Sequence, residues 1–106
     1  MPVTIIGRAV GSGMKGIIAR YTGPSSYATG GESINPATLG LSRVLAVEGA
    51  ILRSSSGLFL AAWDSANNKM QIYRFDYPAT GQGPAVEVPA ATNMSGASGI
   101  VVFWGR

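Results

Sequence analysis

A chain of 106 residues suits one domain, and such a domain buries roughly two-thirds of the surface its unfolded chain exposes, enough for a core without staples. With 0 Cys and 0 His it has no disulfide framework or thiolate metal site, and it lacks the commonest metal ligand and general base. Its 8 Lys+Arg against 5 Asp+Glu give a mild +3, spread from Arg8 to Arg106 without the clustering that nucleic-acid binding uses.

Fifteen Gly and six Pro favour a β chain with many turns over a helical bundle. Val3 to Val10 predicts a strand, Gly11-Ser12-Gly13 a turn, and Met14 to Tyr21 the returning strand of a hairpin. Gly7 and Gly16, inside these strands, mark bulges or close approach. Thr22 to Gly31 is a loop whose Gly30-Gly31 pair supplies backbone angles that other residues resist. Glu32-Ser33-Ile34 is a short strand. Asn35 to Leu41 reads as one capped turn, with Asn35 capping, Pro36 in the first helical position and Gly40 ending it. Arg43 to Leu52 predicts one strong strand; of its two faces, Leu45, Val47, Gly49 and Ile51 form the more apolar and are placed on the core. Ser54-Ser55-Ser56-Gly57 then turns the chain.

Gly57 to Asp76 predicts the central hairpin. Its arms are Leu58 to Trp63 and Lys69 to Phe75, and its loop is Asp64 to Asn68. Lys69, Gln71 and Tyr73 alternate with Met70 and Ile72, the period of a half-buried strand. Tyr77 to Pro84 is a loop, Ala85 to Val88 a short strand closed by Pro89, and Asn93 to Gly99 a loop. Ile100 to Trp104 is a last strand, apolar on both faces, which calls for cover on both sides by the core or a neighbouring subunit. The sum is a single all-β domain over residues 1–106: an antiparallel β-sandwich or barrel, jelly-roll-like, with at most one short helical turn.

Several motifs have duller readings that fit better. Gly11 to Gly16 matches G-x-G-x-x-G, but a short strand follows where a dinucleotide site needs a helix. Ser12-Gly13-Met14-Lys15 matches S-x-x-K without its companion signatures. The five acids, Glu32, Glu48, Asp64, Asp76 and Glu87, show no pairing of the kind a glycosidase needs. Asn93-Met94-Ser95 matches a glycosylation acceptor, yet no secretory signal is visible at Met1 to Thr4. Trp63, Tyr73, Phe75 and Tyr77 read as core and contact residues, with no basic groove beside them for stacked bases. No apolar run approaches the roughly 18 residues of a membrane span. No enzyme, cofactor or metal site is expected. A charged fraction of 12% is low for the surface of a small free monomer and points to subunit contacts.

The succession Ser26-Tyr27-Ala28-Thr29-Gly30-Gly31, Leu39-Gly40-Leu41, Trp63-Asp64 with Asn68-Lys69, Ala85-Val86-Glu87-Val88, and Thr92-Asn93-Met94-Ser95 before an apolar final strand resembles small virion proteins of tailed bacteriophages, the capsid decoration or cement proteins. It spans most of the chain from Tyr27 onward. Asn93 stands where similar sequences usually carry aspartate. The resemblance implies a β-rich fold on the outer capsid surface, commonly a trimer, with the major capsid protein as partner and no nucleic acid, membrane or catalytic residue involved. The alternative is a receptor- or carbohydrate-binding module of a phage tail or fibre. Tyr27, Thr29, Tyr77 and Trp104 are the candidate interface residues, with the loops Thr22 to Gly31 and Tyr77 to Pro84 as contact segments and the tyrosines as anchors.

Overall fold

The computed structural model describes residues 3–11, 13–49, 51–75 and 85–106. The first hairpin forms where the alternation puts it: β1 (Val3–Gly11) pairs antiparallel with β2 (Met14–Thr22), from Val3 opposite Tyr21 to Gly11 opposite Met14. The register shifts between Ile5 and Gly7, so Gly7 does border a bulge. Gly16 lies beneath the Trp104 indole, where a Cβ would come within 2.8 Å of the ring.

After the loop comes β3 (Glu32–Ser33), then a 3-10 turn, Pro36–Leu39, capped by Asn35, whose Oδ1 accepts from the Ala37 N–H, and closed by Gly40. The predicted strand from Arg43 to Leu52 is two strands, β4 (Val44–Glu48) and β5 (Ile51–Ser54), broken at Gly49 with φ 74. The break reverses the expected faces. Val44 and Leu52 are buried, Leu45 and Ile51 are exposed, and only Val47 of the expected set packs against the core. The register along β4 shifts between Val44 and Ala46, so a strict period of two cannot hold across this stretch.

The central hairpin is β6 (Gly57–Asp64) and β7 (Lys69–Phe75), as the sequence predicts. Its loop is tied by the Asp64 carboxylate, which accepts from the Ala66 N–H and the Asn67 amide. Met70 and Ile72 are fully buried. Then follow β8 (Ala85–Glu87) and β9 (Ser98–Gly105).

Among the described residues all nine strands belong to one sheet in the order β1-β2-β9-β5-β6-β7-β3, with β4 beside β9 and β8 beside β7; every pairing is antiparallel. The expected all-β antiparallel fold is therefore a single sheet curled round one core. The last strand in sequence sits inside the sheet, between β2 and the β4–β5 pair. The inner faces meet in one cluster that includes Ile17, Tyr21, Leu52, Ile72, Val101 and Phe103. Trp63 of β6 meets Phe103 of β9 edge-to-face, ring centres 6.0 Å apart and planes at 87°. Tyr21 Oη donates to Glu32 Oε1 at 2.7 Å and joins β2 to β3 by side chains, although the strand order leaves them far apart.

Where β5 crosses β9 the backbones nearly touch: a Cβ on Gly99 would lie 2.2 Å from the Ile51 carbonyl oxygen. Gly99→Ala is expected to cost about 1–3 kcal/mol, the range for forcing extra volume into a packed site, read as a lower urea midpoint. Gly96→Ala, with no atom within 4 Å of its Cβ position, should stay within about 0.5 kcal/mol.

Candidate interaction surface

Tyr27 is expected to be a surface anchor, and the structure corrects this: it is 1% exposed and belongs to the core. The outer edge of β7 is covered in two pieces. β3 pairs with Lys69 and Met70, and β8 pairs with residues Tyr73 to Phe75. Between them the Tyr27 hydroxyl fills the gap. It accepts from the Ile72 N–H at 3.1 Å and donates to Glu87 Oε2 at 2.5 Å. The same carboxylate oxygen accepts from the Gly30 N–H at 2.8 Å. Gly30 and Gly31 take φ of 93 and 110, the positive angles expected of that pair. The motifs around Tyr27 and Glu87, 60 residues apart, thus meet at one hydrogen-bonded node.

Of the other candidates, Thr29 is exposed on the loop beside this node. Tyr77, with its loop Tyr77 to Pro84, lies outside the described residues, as does Ser12 of the S-x-x-K match. Trp104 is half-buried on the outer face of the sheet, and its indole N–H donates to Glu48 Oε1. Trp104 and Tyr27 are therefore not neighbours on one surface: one faces outward from β9, the other plugs the edge of β7.

The outer face of the sheet is where the structure departs most from an ordinary solvated surface. Side chains alternate along each strand and paired residues share a face, so Ile18, Val102 and Glu48 stand in one row, and Gly16, Trp104 and Ala46 in the next. Across β9, β5 and β6 the same face carries Ile100, Ile51 and Leu58, which are 44%, 49% and 50% exposed. Arg20 and Arg53 flank this band. Contiguous exposed apolar groups are a common feature of interaction sites, which makes this face the candidate surface. Sequence reasoning pointed to it through the two-faced apolarity of Ile100 to Trp104, but missed Ile51 and Leu58 because it placed Ile51 on the core and read Leu58 only as part of an arm.

At one end of this face a groove of about 400 Å³ is lined by Gly11, Met14, Ala46, Glu48 and Trp104. A second depression of mixed lining, about 210 Å³, lies between the Ser54–Ser56 turn and the loop through Thr92 and Asn93, with Phe59 beside it. Among the described residues no three His, Cys, Asp or Glu side chains gather to hold a metal, and no helix is long and apolar enough to cross a membrane. No protein-family model, curated protein or solved structure matches the chain.

Two expected outcomes follow from the tyrosine contacts. Tyr27→Phe leaves the Ile72 N–H without its acceptor and strips one donor from Glu87, so it should cost about 1–3 kcal/mol, measured by urea unfolding, and should speed hydrogen exchange at the Ile72 amide. The exposed Thr29→Ala should stay within about 0.5 kcal/mol.

The second concerns alkali. Burial first, and then the hydrogen bond to a carboxylate, push the phenols of Tyr21 and Tyr27 above their ordinary value of 10.0. Both phenols stay protonated in the folded chain while the unfolded chain releases them from that value upward. The stability they supply is whole below about pH 10 and falls above it, by roughly 1.4 kcal/mol per pH unit for each phenol. Urea midpoints between pH 9 and 11.5 should show the decline, with a shallower slope in Tyr21→Phe.

Proposed function

We propose that this chain is a structural virion protein, a decoration or cement protein that binds the outer surface of a tailed-phage capsid and stabilises the head as a homo-oligomer, with a trimer the expected number and the major capsid protein its partner. It has no catalytic role in this reading. The observation that carries the proposal is the apolar outer face of the sheet, Ile100, Val102 and Trp104 on β9 with Ile51 and Leu58 beside them, half-exposed in the single chain. Covering such a face by other subunits gains hydrophobic free energy at about 25 cal/mol per Å². An oligomer that touches several capsid subunits at once multiplies individually weak contacts. The order of short motifs from Tyr27 onward supports the same assignment.

The depression beside Phe59 favours the second reading, a carbohydrate-binding module of a tail or fibre, because an aromatic side chain with serine, threonine and asparagine groups around it suits a sugar ring.

Electron microscopy of purified particles with and without the protein tests the first reading. Added protein should appear on the capsid exterior and co-sediment with heads. Ile100→Lys, on the outer face, should weaken that binding about tenfold or more, since burying one such side chain is worth about 1.5–3 kcal/mol. Bare capsids would reject the assignment, and retention on a glycan array lost in Phe59→Ala would replace it with the second.

A further inference from the structure

We propose that copies of this chain clasp one another through the tip of the β1–β2 hairpin: Val10 and Lys15 of one copy enter the Trp104 groove of the next, with Lys15 against Glu48. This rests on the homo-oligomer of the proposed function and names its contact.

The tip stands clear of its own chain. Val10 is 85% exposed, and no atom lies within 4 Å of the Cβ positions of Gly11 and Gly13. Val10 is paired with Lys15, so the two side chains share a face. That face is the one carrying Ile17, Ala19 and Tyr21 further along β2, where the core begins. An isopropyl knob with an ammonium beside it is therefore held out past the end of the core.

The complementary hole is on the opposite face of the same hairpin. Gly11 pairs with Met14, Gly16 with Trp104, and Trp104 with Ala46, which sets the lining of the groove on the outer side. The lining is apolar except for Glu48. One Glu48 oxygen accepts from the Trp104 indole, which fixes the carboxylate at the rim. The other acids of the described residues are committed elsewhere. Glu32 and Glu87 accept from tyrosine hydroxyls, and Asp64 is tied within its own loop. Glu48 is thus the carboxylate that the outer face offers to a cation.

Knob and hole match in character, apolar with one charge of opposite sign each. They cannot meet within one copy, because they lie on opposite faces of a two-stranded ribbon. A second copy satisfies both. The contact joins different patches on the two partners, so it is head-to-tail, and a rotation that closes it gives a ring. A ring of three would agree with the expected trimer.

Charge exchange tests the clasp. Wild-type protein in sedimentation velocity should run as a defined multiple of 10.9 kDa. Lys15→Glu and Glu48→Lys should each weaken association at least about tenfold, a loss within the range for interfacial charge pairs. The double variant carrying both exchanges should recover most of it. Val10→Asp, at a site too exposed to matter for folding, should also give monomer, and unchanged circular dichroism and urea midpoints establish that each variant is folded. An oligomer indifferent to both single reversals overturns the clasp and leaves the homo-oligomer standing. Single losses without recovery in the double variant overturn the Lys15–Glu48 pairing. A Glu48→Lys protein that remains oligomeric but no longer binds capsids assigns the groove to the capsid protein instead. A wild-type monomer at all concentrations overturns both the clasp and the homo-oligomer, and capsid binding is then judged by co-sedimentation alone.

Discussion

The rest of this structure depends on how the open edge of β7 is closed. An edge strand presents unpaired N–H and C=O groups that must find partners. Here two strands too short to span the edge, β3 with two residues and β8 with three, leave Ile72 between them. Val88 supplies an N–H to the Ile72 carbonyl, and the Tyr27 hydroxyl takes the Ile72 N–H. Because the same hydroxyl donates to Glu87, and Glu87 also holds the Gly30 N–H, one side chain pins the loop before β3 to the strand after the central hairpin. The desolvation of Tyr27 is offset by hydrogen bonds on both sides of its oxygen, which is the condition for burying a polar atom at all.

That closure explains why the motif order is informative about architecture and misleading about contact. Tyr27, Gly30 and Glu87 belong to two of the short segments that carry the resemblance, and in the fold they are one internal node. A tyrosine among Ser, Thr and Gly reads as a surface anchor when only neighbours in sequence are visible. Its burial comes from a partner 60 residues away, which no local pattern shows. The hairpins were legible because strand alternation and turn chemistry are local. So was the capped turn at Pro36–Leu39, where Asn, Pro and Gly each occupy the position their backbone chemistry favours. The stretch Arg43 to Leu52 was misread for the opposite reason. Summing apolar side chains over two alternate faces assumes an unbroken period of two, and the register shift at Val44/Ala46 with the break at Gly49 removes it. Ile51 is exposed and Leu52 buried as a result.

The position of β9 sharpens what remains exposed. A strand paired on both edges is normally the best-covered part of a sheet, and a sequence apolar on both faces normally has a layer on each side. β9 has its two edges paired, and Val101 and Phe103 inside, while Ile100 on the outer face is 44% exposed among the described residues. The greasy outer face is therefore a property of the middle of the sheet, set by residues whose partners on the inner side are already fixed by the core. Moving one of them inward by a register slip would expose Val101 or Phe103 in its place. A register slip therefore does not relieve the outer face; it only exchanges one exposed apolar residue for another.

The sheet also restricts what form that contact takes. Its two ends are unlike: one is finished by β3, β8 and Tyr27, and the other is the nine-residue strand β1, which among the described residues pairs only with β2. A free edge of that length invites strand addition from another chain. The bulge between Ile5 and Gly7 breaks the spacing of the outward-pointing backbone groups, and Arg8 places a charge just past it. Both are devices that blunt edge-to-edge pairing. What the hairpin offers beyond the bulge is side chains, with Val10 and Lys15 on one face and Met14 against the Trp104 groove on the other. Association through side-chain faces carries a specific register that backbone pairing lacks, because a hydrogen-bond ladder accepts many alignments and a charged knob in a matched groove accepts one. Under the proposed reading, a subunit at fixed symmetry positions on a shell gains from a blunted edge and a selective face, provided that the head-to-tail contact closes into a ring and not an open filament.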